Sequence, residues 1–223
     1  MFTISPSVYS ADLLDLRQVL KRLDGFEHLH LDIDDGNFVR GISFGMDVVR
    51  GIAACTDVPL DVHLEVQNPM AYVDDLADAG VELICAHVEA LDYPSLFLSS
   101  VHNRGKKAGL ALNIKTPAVF LEPYVDQLDQ VILVSCEADV DGLPFRSGVL
   151  KKVAQVRSML SDPAKVWVDG GVNETNLKSV INAGAGGVVL GRAVFGAKDP
   201  VGAYQRLLDL GRTYEKERDG NAV

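Results

Sequence analysis

The chain has 223 residues, of which 48% are hydrophobic and 23% are charged, a composition typical of a soluble globular domain. Acidic residues (31) outnumber Lys and Arg (21), so the formal net charge is −10, which argues against nucleic acids and anionic membranes as partners. No apolar run reaches the roughly 18 residues of a membrane span, and the first residues lack the basic start of a signal peptide. Cys55, Cys85 and Cys136 are scattered, which is typical of reduced thiols. We therefore expect a cytoplasmic protein.

Short apolar runs alternate with amphipathic stretches along the whole chain. In chain order, the predicted strands lie near 2–8, 27–33, 59–65, 82–88, 108–113, 130–136, 164–169 and 186–191. The predicted helices lie near 11–22, 45–54, 69–79, 95–104, 118–123, 147–160, 174–183 and 198–216. Such units favour an α/β fold in which residues 1–223 form a single-domain (β/α)8 TIM barrel, with a frayed tail from about residue 214. The alternative is an open doubly wound sheet, disfavoured because no Gly-x-Gly-x-x-Gly follows the first strand.

Polar side chains share one face of several predicted strands. Because successive side chains of a strand point to opposite faces, the apolar set should pack against the helices and the polar set should point into the barrel. Many of the polar residues lie near the C-terminal ends of their strands, where barrel enzymes carry their sites. They are His30, Asp32 and Asp34 in the second strand, Asp61, His63 and Glu65 in the third, and Asp169 in the seventh.

Four of these residues predict a metal site. His30, Asp32, His63 and Asp169 offer two imidazole nitrogens and two carboxylates, a set that suits divalent Zn, Fe, Mn or Co. A buried carboxylate is costly unless it is paired or bound to a metal. Two alternatives stay open: the histidines are core residues with satisfied hydrogen bonds, and the aspartates belong to ordinary turns. His87, at the end of the fourth strand, is a further candidate for lining the site.

Two glycine-containing loops are candidates for holding a phosphate group. Gly170 and Gly171 follow the seventh strand, and Gly191 and Arg192 follow the eighth. The loops after the last two strands of a barrel commonly bind phosphate through backbone N–H groups, which glycine allows to approach closely. The guanidinium of Arg192 would add a charged contact. The alternative is that both are plain strand-to-helix turns.

Several spaced runs resemble the ribulose-phosphate 3-epimerase family, in the same order and over nearly the whole chain. The runs are ISPS (4–7), HLDIDDGNFV (30–39), PLDVHL (59–64), ALN (111–113) with TP (116–117), VDGGV (168–172) and GRAVF (191–195). The resemblance implies a metal-dependent isomerase of carbohydrate metabolism. Such an enzyme inverts C3 of a ketose phosphate of the ribulose 5-phosphate/xylulose 5-phosphate type by two-base proton transfer through an enediolate.

The resemblance also implies a role for individual residues. The implied metal ligands are His30, Asp32, His63 and Asp169, and two of them, Asp32 and Asp169, would act as the acid/base catalysts. The implied substrate-binding residues are Ser7, Gly142, Gly170, Gly171, Gly191 and Arg192. Barrels of this type often associate, so we expect a homo-oligomer, although no feature of the sequence fixes its size or the identity of the metal.

The chain departs from the family pattern at the mouth of the predicted barrel. Asp34 and Glu65 stand where the pattern has methionines, and Val134 stands for a third. The loop after the sixth strand reads EADVDG (137–142) in place of a glycine-rich run, which adds Glu137, Asp139 and Asp141 and keeps Gly142. We take Asp34 and Glu65 as candidate specificity residues.

These departures keep other functions open. An epimerase of a different ketose, such as a hexulose 6-phosphate, is one alternative. A catalytically silent barrel that binds a phosphometabolite or a protein partner is a second, from a different class. A metal-assisted lyase or decarboxylase is a third, disfavoured because the Asp-x-Lys-x-x-Asp run of related barrel decarboxylases is absent from the sequence.

Overall fold

The computed structural model describes residues 1–137 and 143–220 and contains one sheet of parallel strands. Its eight strands among these residues are β1 (Thr3–Pro6), β2 (Leu29–Asp34), β3 (Leu60–Glu65), β4 (Leu83–His87), β5 (Lys107–Leu112), β6 (Gln130–Val134), β7 (Val166–Asp169) and β8 (Gly187–Leu190). Their order is β1-β8-β7-β6-β5-β4-β3-β2. A single parallel bridge between Ser7 and His30 joins β1 to β2 and completes the ring. The predicted (β/α)8 barrel is therefore confirmed.

Helices follow the strands and cover the outside of the barrel. Within the described residues the α-helices are α1 (Leu16–Leu20), α2 (Met46–Ala53), α3 (Val73–Asp78), α4 (Pro94–Asn103), α5 (Val149–Met159), α6 (Leu177–Asn182), α7 (Arg192–Phe195) and α8 (Pro200–Gly220). Short 3-10 helices span Val8–Ser10, Pro69–Tyr72, Val88–Ala90, Ala118–Gln127 and Pro163–Lys165. None of these helices is long and apolar enough to cross a membrane.

Three segments differ from the sequence-based expectation. The segment predicted as a helix near 118–123 is a 3-10 helix, Ala118–Gln127, which has Pro123 in its interior; proline removes a backbone donor and opposes a regular α-helix. The short helix α7 follows β8 and was not predicted. The segment from about 214, expected to be frayed, is helical as far as Gly220. In this segment Lys178 Nζ contacts Glu217 at 2.9 Å, and Arg218 donates to the backbone carbonyls of Ile181 and Ala185.

As the alternation of side chains predicts, one face of the sheet packs against the helices and the other face lines the inside of the barrel. Leu29, Leu31 and Ile33 of β2 lie in the core between strands and helices. A smaller apolar cluster fills the barrel beside β4–β8 and consists of Leu83, Cys85, Ala111, Ile132, Val134, Trp167 and Val189. A Cβ at Gly187 would lie only 2.4 Å from the Trp167 ring, so this glycine makes room for the indole. Most of the buried charged side chains lie on the β2–β3 side of the barrel, and His87 of β4 lies next to them.

Candidate active site

The β2 and β3 strands pair their polar residues in three successive layers. His30 is in register with Asp61, Asp32 with His63, and Asp34 with Glu65. Because alternate residues of a strand share one face, all three pairs lie on the same face of the sheet. The first pair is almost fully buried, and the third lies at the carboxyl ends of the strands, where the pocket opens.

Four of the predicted residues meet at the floor of this pocket. His30, Asp32, His63 and Asp169 each offer one ligand atom, and these atoms all lie within 4.8 Å of one another. His30 Nε2 is 3.1 Å from Asp32 Oδ1, and His63 Nδ1 is 3.5 Å from Asp32 Oδ1 and 3.7 Å from Asp169 Oδ2. A tetrahedral ion with bonds of about 2.0–2.2 Å holds its ligands roughly 3.3–3.6 Å apart. The spacing of these donor atoms therefore suits one divalent ion.

The unused imidazole nitrogens support a metal at this position. His30 Nε2 and His63 Nδ1 are buried and have no hydrogen-bond partner among residues 1–137 and 143–220. The other nitrogen of each ring is engaged: His30 Nδ1 hydrogen-bonds to Asp61, and His63 Nε2 lies 3.0 Å from His87 Nε2. Metal-bound histidines are held in this way by a partner at the outer nitrogen. The four residues thus offer the donor types and the free donor atoms that a divalent ion needs.

The electrostatics of the four residues favour a cation. Burial opposes charge on His30, yet the charges of Asp32 and Asp61 raise its pKa well above the usual value. Burial likewise opposes charge on His63, but the nearby carboxylates of Asp169 and Asp32 raise its pKa to about 10. Burial acts to raise the pKa of Asp32, and the charge of His30 outweighs it and holds that pKa well below its usual range. The group therefore stabilises positive charge at its centre.

Asp34 and Glu65 make the next layer acidic. Asp34 is 9% exposed, and its Oδ1 has no hydrogen-bond partner in the described part of the chain. Burial, followed by the neighbouring charges of Glu65 and Asp32, raises the pKa of Asp34 to about 8. Two carboxyl groups this close hold a proton between them more readily than two negative charges.

A pocket of about 520 Å³ lies above the four residues. Its wall includes most of the residues that the sequence singles out: Ser7, Asp32, Asp34, Glu65, Asp169, Gly170, Gly171, Gly191 and Arg192. Ser7 donates a hydrogen bond to Asp32 Oδ2 at 2.5 Å, and the Gly170 N–H donates to Asp169 Oδ1 at 2.6 Å. His30 and His63 are fully buried beneath the pocket. Asp139, Asp141 and Gly142 lie outside the described residues.

Comparison with known proteins gives the family. The model of the "Ribulose-phosphate 3 epimerase family" matches residues 3–195. The chain belongs to the ribulose-phosphate 3-epimerase family. It is 36% identical over 205 residues to the ribulose-phosphate 3-epimerase of Bacillus subtilis strain 168, covering 89% of this chain and 94% of that one. It is 37% identical over 201 residues to that of Synechocystis, covering 87% of each chain.

Solved structures of other members of the barrel fold match at lower identity. Orotidine 5'-phosphate decarboxylase from Pyrococcus horikoshii OT3 superposes with a TM-score of 0.67 at 16% identity, over 94% of this chain and 99% of that one. The tryptophan synthase A-subunit from Pyrococcus furiosus gives a TM-score of 0.66 at 17% identity, over 98% of this chain and 97% of that one. At these identities the match shows the fold that the epimerase family shares with them.

The structure adds polar residues that sequence reasoning left without a role. Asp61 holds His30 and accepts a hydrogen bond from Ser5 Oγ at 2.5 Å. Oε2 of Glu89 lies 3.2 Å from Nδ1 of His87. The alternation pattern contained a signal for Asp61, because it shares a strand face with His63 and Glu65. Glu89 lies beyond the end of β4, where no strand periodicity marks it.

Proposed function

We propose that this member of the ribulose-phosphate 3-epimerase family is a metal-dependent isomerase that inverts C3 of a ketose phosphate, of the ribulose 5-phosphate/xylulose 5-phosphate type. The observation that carries the proposal is the convergence of Asp32 and Asp169 on two buried histidines at the floor of the pocket. Two carboxylates from separate strands, β2 and β7, suit a reaction that needs a proton acceptor and a proton donor.

The chemistry follows from the position of C3 beside a carbonyl. A divalent ion (Zn, Fe, Mn or Co) bound by His30, Asp32, His63 and Asp169 supplies Lewis-acid stabilisation of negative charge on the substrate oxygens. Asp32 removes the C3 proton on one face of the substrate, and Asp169 donates a proton to the resulting enediolate on the other. The roles exchange in the reverse direction. A single carboxylate would tend to return the proton to the face from which it came.

Neighbouring donors orient the two carboxylates for this task. Ser7 holds Oδ2 of Asp32, and the backbone of Gly170 holds Oδ1 of Asp169. A catalytic carboxylate whose orientation is fixed loses less entropy on reaching the transition state. We propose that Ser7 also contacts the substrate, since it lies on the pocket wall.

We assign phosphate binding to the loops after β7 and β8. Gly170 and Gly171 have φ angles of +94° and +63°, which L residues rarely adopt. A Cβ at Gly171 would lie 2.5 Å from the backbone nitrogen of Phe145, and one at Gly191 would lie 2.2 Å from Ser10 Oγ. Arg192 lines the same part of the pocket and supplies positive charge for the phosphate. Gly142 remains a prediction for this function.

Asp34 and Glu65 are our candidates for setting substrate choice. They line the pocket, make its wall acidic and can form hydrogen bonds with a substrate. Such a wall favours a substrate that presents additional hydroxyl groups, so a different ketose, such as a hexulose 6-phosphate, is the second candidate. We further propose that the protein acts in the cytoplasm as a homo-oligomer on a small-molecule ketose phosphate.

Deuterium exchange tests the reaction directly. The metal-loaded protein is incubated in D₂O with a panel of ketose phosphates that includes ribulose 5-phosphate and hexulose 6-phosphates. We expect deuterium at C3 of one substrate together with its C3 epimer. Asp32→Asn and Asp169→Asn should each lower the rate by roughly 10²–10⁴-fold. Absence of exchange with every ketose phosphate would contradict the proposal.

Metal analysis separates the enzyme from a silent binding barrel. An epimerase should purify with, or take up, a divalent ion and should lose exchange activity after chelation. A silent barrel would contain no such ion, and Asp32→Asn and Asp169→Asn would leave its binding of a phosphometabolite unchanged.

A further inference from the structure

A second group of donor atoms lies beside the first, between β3 and β4. His63, Glu65 and His87 each offer one ligand atom, and these atoms lie within 4.8 Å of one another. His87 Nε2 is 3.0 Å from His63 Nε2 and 3.5 Å from Glu65 Oε1. The 3.5 Å separation lies within the roughly 3.3–3.6 Å expected between ligands of a tetrahedral ion with bonds of about 2.0–2.2 Å. The 3.0 Å contact between the two imidazoles is a hydrogen-bond distance and has to lengthen by a few tenths of an ångström to admit an ion.

His87 is held in the orientation that a ligand needs. Its Nδ1 lies 3.2 Å from Glu89 Oε2, which leaves Nε2 directed at Glu65 and His63. Oε1 of Glu89 accepts hydrogen bonds from the backbone N–H of Asn113, at 2.9 Å, and from the Thr116 hydroxyl. A carboxylate that holds the outer nitrogen of a histidine is the usual support of a metal-bound imidazole.

The negative charge around this group favours the binding of a cation. Glu65 and Asp34 stand side by side in register, and both line a pocket that we assign to an anionic substrate. Asp34 Oδ1 is buried without a hydrogen-bond partner among the described residues. One ion among His30, Asp32, His63 and Asp169 already has two carboxylates of its own, so it does not offset the negative charge that remains on Asp34 and Glu65 when they share a proton. A cation at Glu65 would offset that charge where the substrate enters.

We propose that His63 Nε2, Glu65 and His87 Nε2 form a second site for a divalent cation of the Zn²⁺ class. The His63 imidazole is shared: its Nδ1 faces the first site and its Nε2 faces the second. On binding, the proton between the His63 and His87 rings is displaced to solvent. Of the three residues, Glu65 lies on the pocket wall, and both histidines are fully buried behind it. This site goes beyond the proposed epimerisation, which requires a single ion.

Metal stoichiometry tests the second site. The full chain is dialysed to equilibrium against Zn²⁺, and bound zinc per chain is measured by mass spectrometry. We expect two ions in the unaltered protein and one in Glu65→Met or His87→Gln. Glu137→Gln is the matched control, because it removes another acid from the same pocket wall, and it should retain two ions.

Crystals of the unaltered protein give a measurement that does not depend on how a variant folds. Data collected at the zinc absorption edge should show two anomalous peaks, one on each side of the His63 ring. One peak alone, a stoichiometry of one, or a second ion bound elsewhere on the surface would overturn the proposal. Failure of the epimerase proposal would instead appear as absent C3 exchange, whatever the number of ions.

Discussion

Asp61 accepts a hydrogen bond from Nδ1 of His30 inside the barrel, where both side chains are almost fully buried. This contact fixes which nitrogen of His30 faces Asp32 and is free for a metal. A carboxylate in this position also increases the basicity of the ligand nitrogen. Asp61 therefore orients one of the four proposed metal ligands although it is not one of them.

We expect Asp61→Asn to weaken divalent metal binding by about 10–100-fold, because an amide lacks the negative charge that holds the ring. The dissociation constant is measured by competition with a chelating dye, and circular dichroism verifies the fold. Ser5→Ala is the matched control, since it removes one hydrogen bond to the same carboxylate without touching the histidine. Its effect should be smaller. Unchanged metal affinity in Asp61→Asn would show that this pair has no part in holding the ion.

The sequence was sufficient to predict those features that depend on local periodicity. Alternation placed all eight strands and separated the apolar face of β2 from its polar face, and the order of units predicted the barrel. The convergence of β2, β3 and β7 then follows from barrel closure, so His30, Asp32, His63 and Asp169 could be proposed as one group. The register of β2 and β3 in the structure shows in addition that Asp34 lies beside Glu65.

Features that depend on long-range contacts were not predictable in the same way. Asp61 acquires its role only from its partner His30 on the next strand, and Glu89 acquires its role from His87 and Thr116. The 3-10 segment Ala118–Gln127 has helical spacing but a proline in its interior. The end of α8 is helical and contacts α6 through Glu217 and Lys178, which are 39 positions apart in the sequence.

The side chain of Arg192 should contribute to affinity for a phosphorylated substrate. We expect Arg192→Met to raise KM for the ketose phosphate by about 10–100-fold, because one charge-assisted hydrogen bond to the phosphate is lost. The effect on kcat should be small. Lys198→Met is the control, because it removes the same charge from an exposed residue six positions away that does not line the pocket. Steady-state kinetics measure both. Equal increases in KM would mean that general electrostatics, and not a contact at Arg192, attracts the phosphate.

Gly171 is required by the backbone of the loop after β7. Its φ is +63°, and an added Cβ would lie 2.5 Å from the Phe145 nitrogen, so Gly171→Ala should lower the free energy of unfolding by about 1–3 kcal/mol or more. Gly51→Ala in α2 should have the opposite effect, since its Cβ meets nothing within 4 Å and alanine favours helix by about 0.5–1 kcal/mol. Urea denaturation gives both values. A stable Gly171→Ala would contradict the strained loop.

Asp35 ties together the loops that follow β2 and β3. Its Oδ1 accepts hydrogen bonds from the backbone of Asn37 and Phe38, and its Oδ2 accepts one from Gln67, each at 2.8 Å. Burial acts to raise the pKa of Asp35, but these three bonds outweigh it and lower that pKa below the usual value. In Asp35→Asn, the side-chain amide directs either its NH₂ group or its carbonyl oxygen toward these backbone N–H donors. The carbonyl oxygen is a weaker acceptor than a carboxylate oxygen, and the NH₂ group cannot accept a hydrogen bond. We expect the substitution to reduce the free energy of unfolding by about 1–3 kcal/mol at pH 7.

The sign of the pH dependence follows from the direction of the pKa shift. A carboxyl group whose pKa is lowered on folding stabilises the protein above its unfolded pKa of about 3.9, and this contribution is lost as the pH falls through the folded pKa. The stability difference between the unaltered protein and Asp35→Asn should therefore be full at pH 6–7 and shrink on acidification below about pH 4. Asp57→Asn, on an exposed side chain, changes the net charge equally and serves as the control in urea titrations across this range. A difference for Asp35→Asn that stays constant down to pH 3 would show that the ionised carboxylate is not what holds the two loops together.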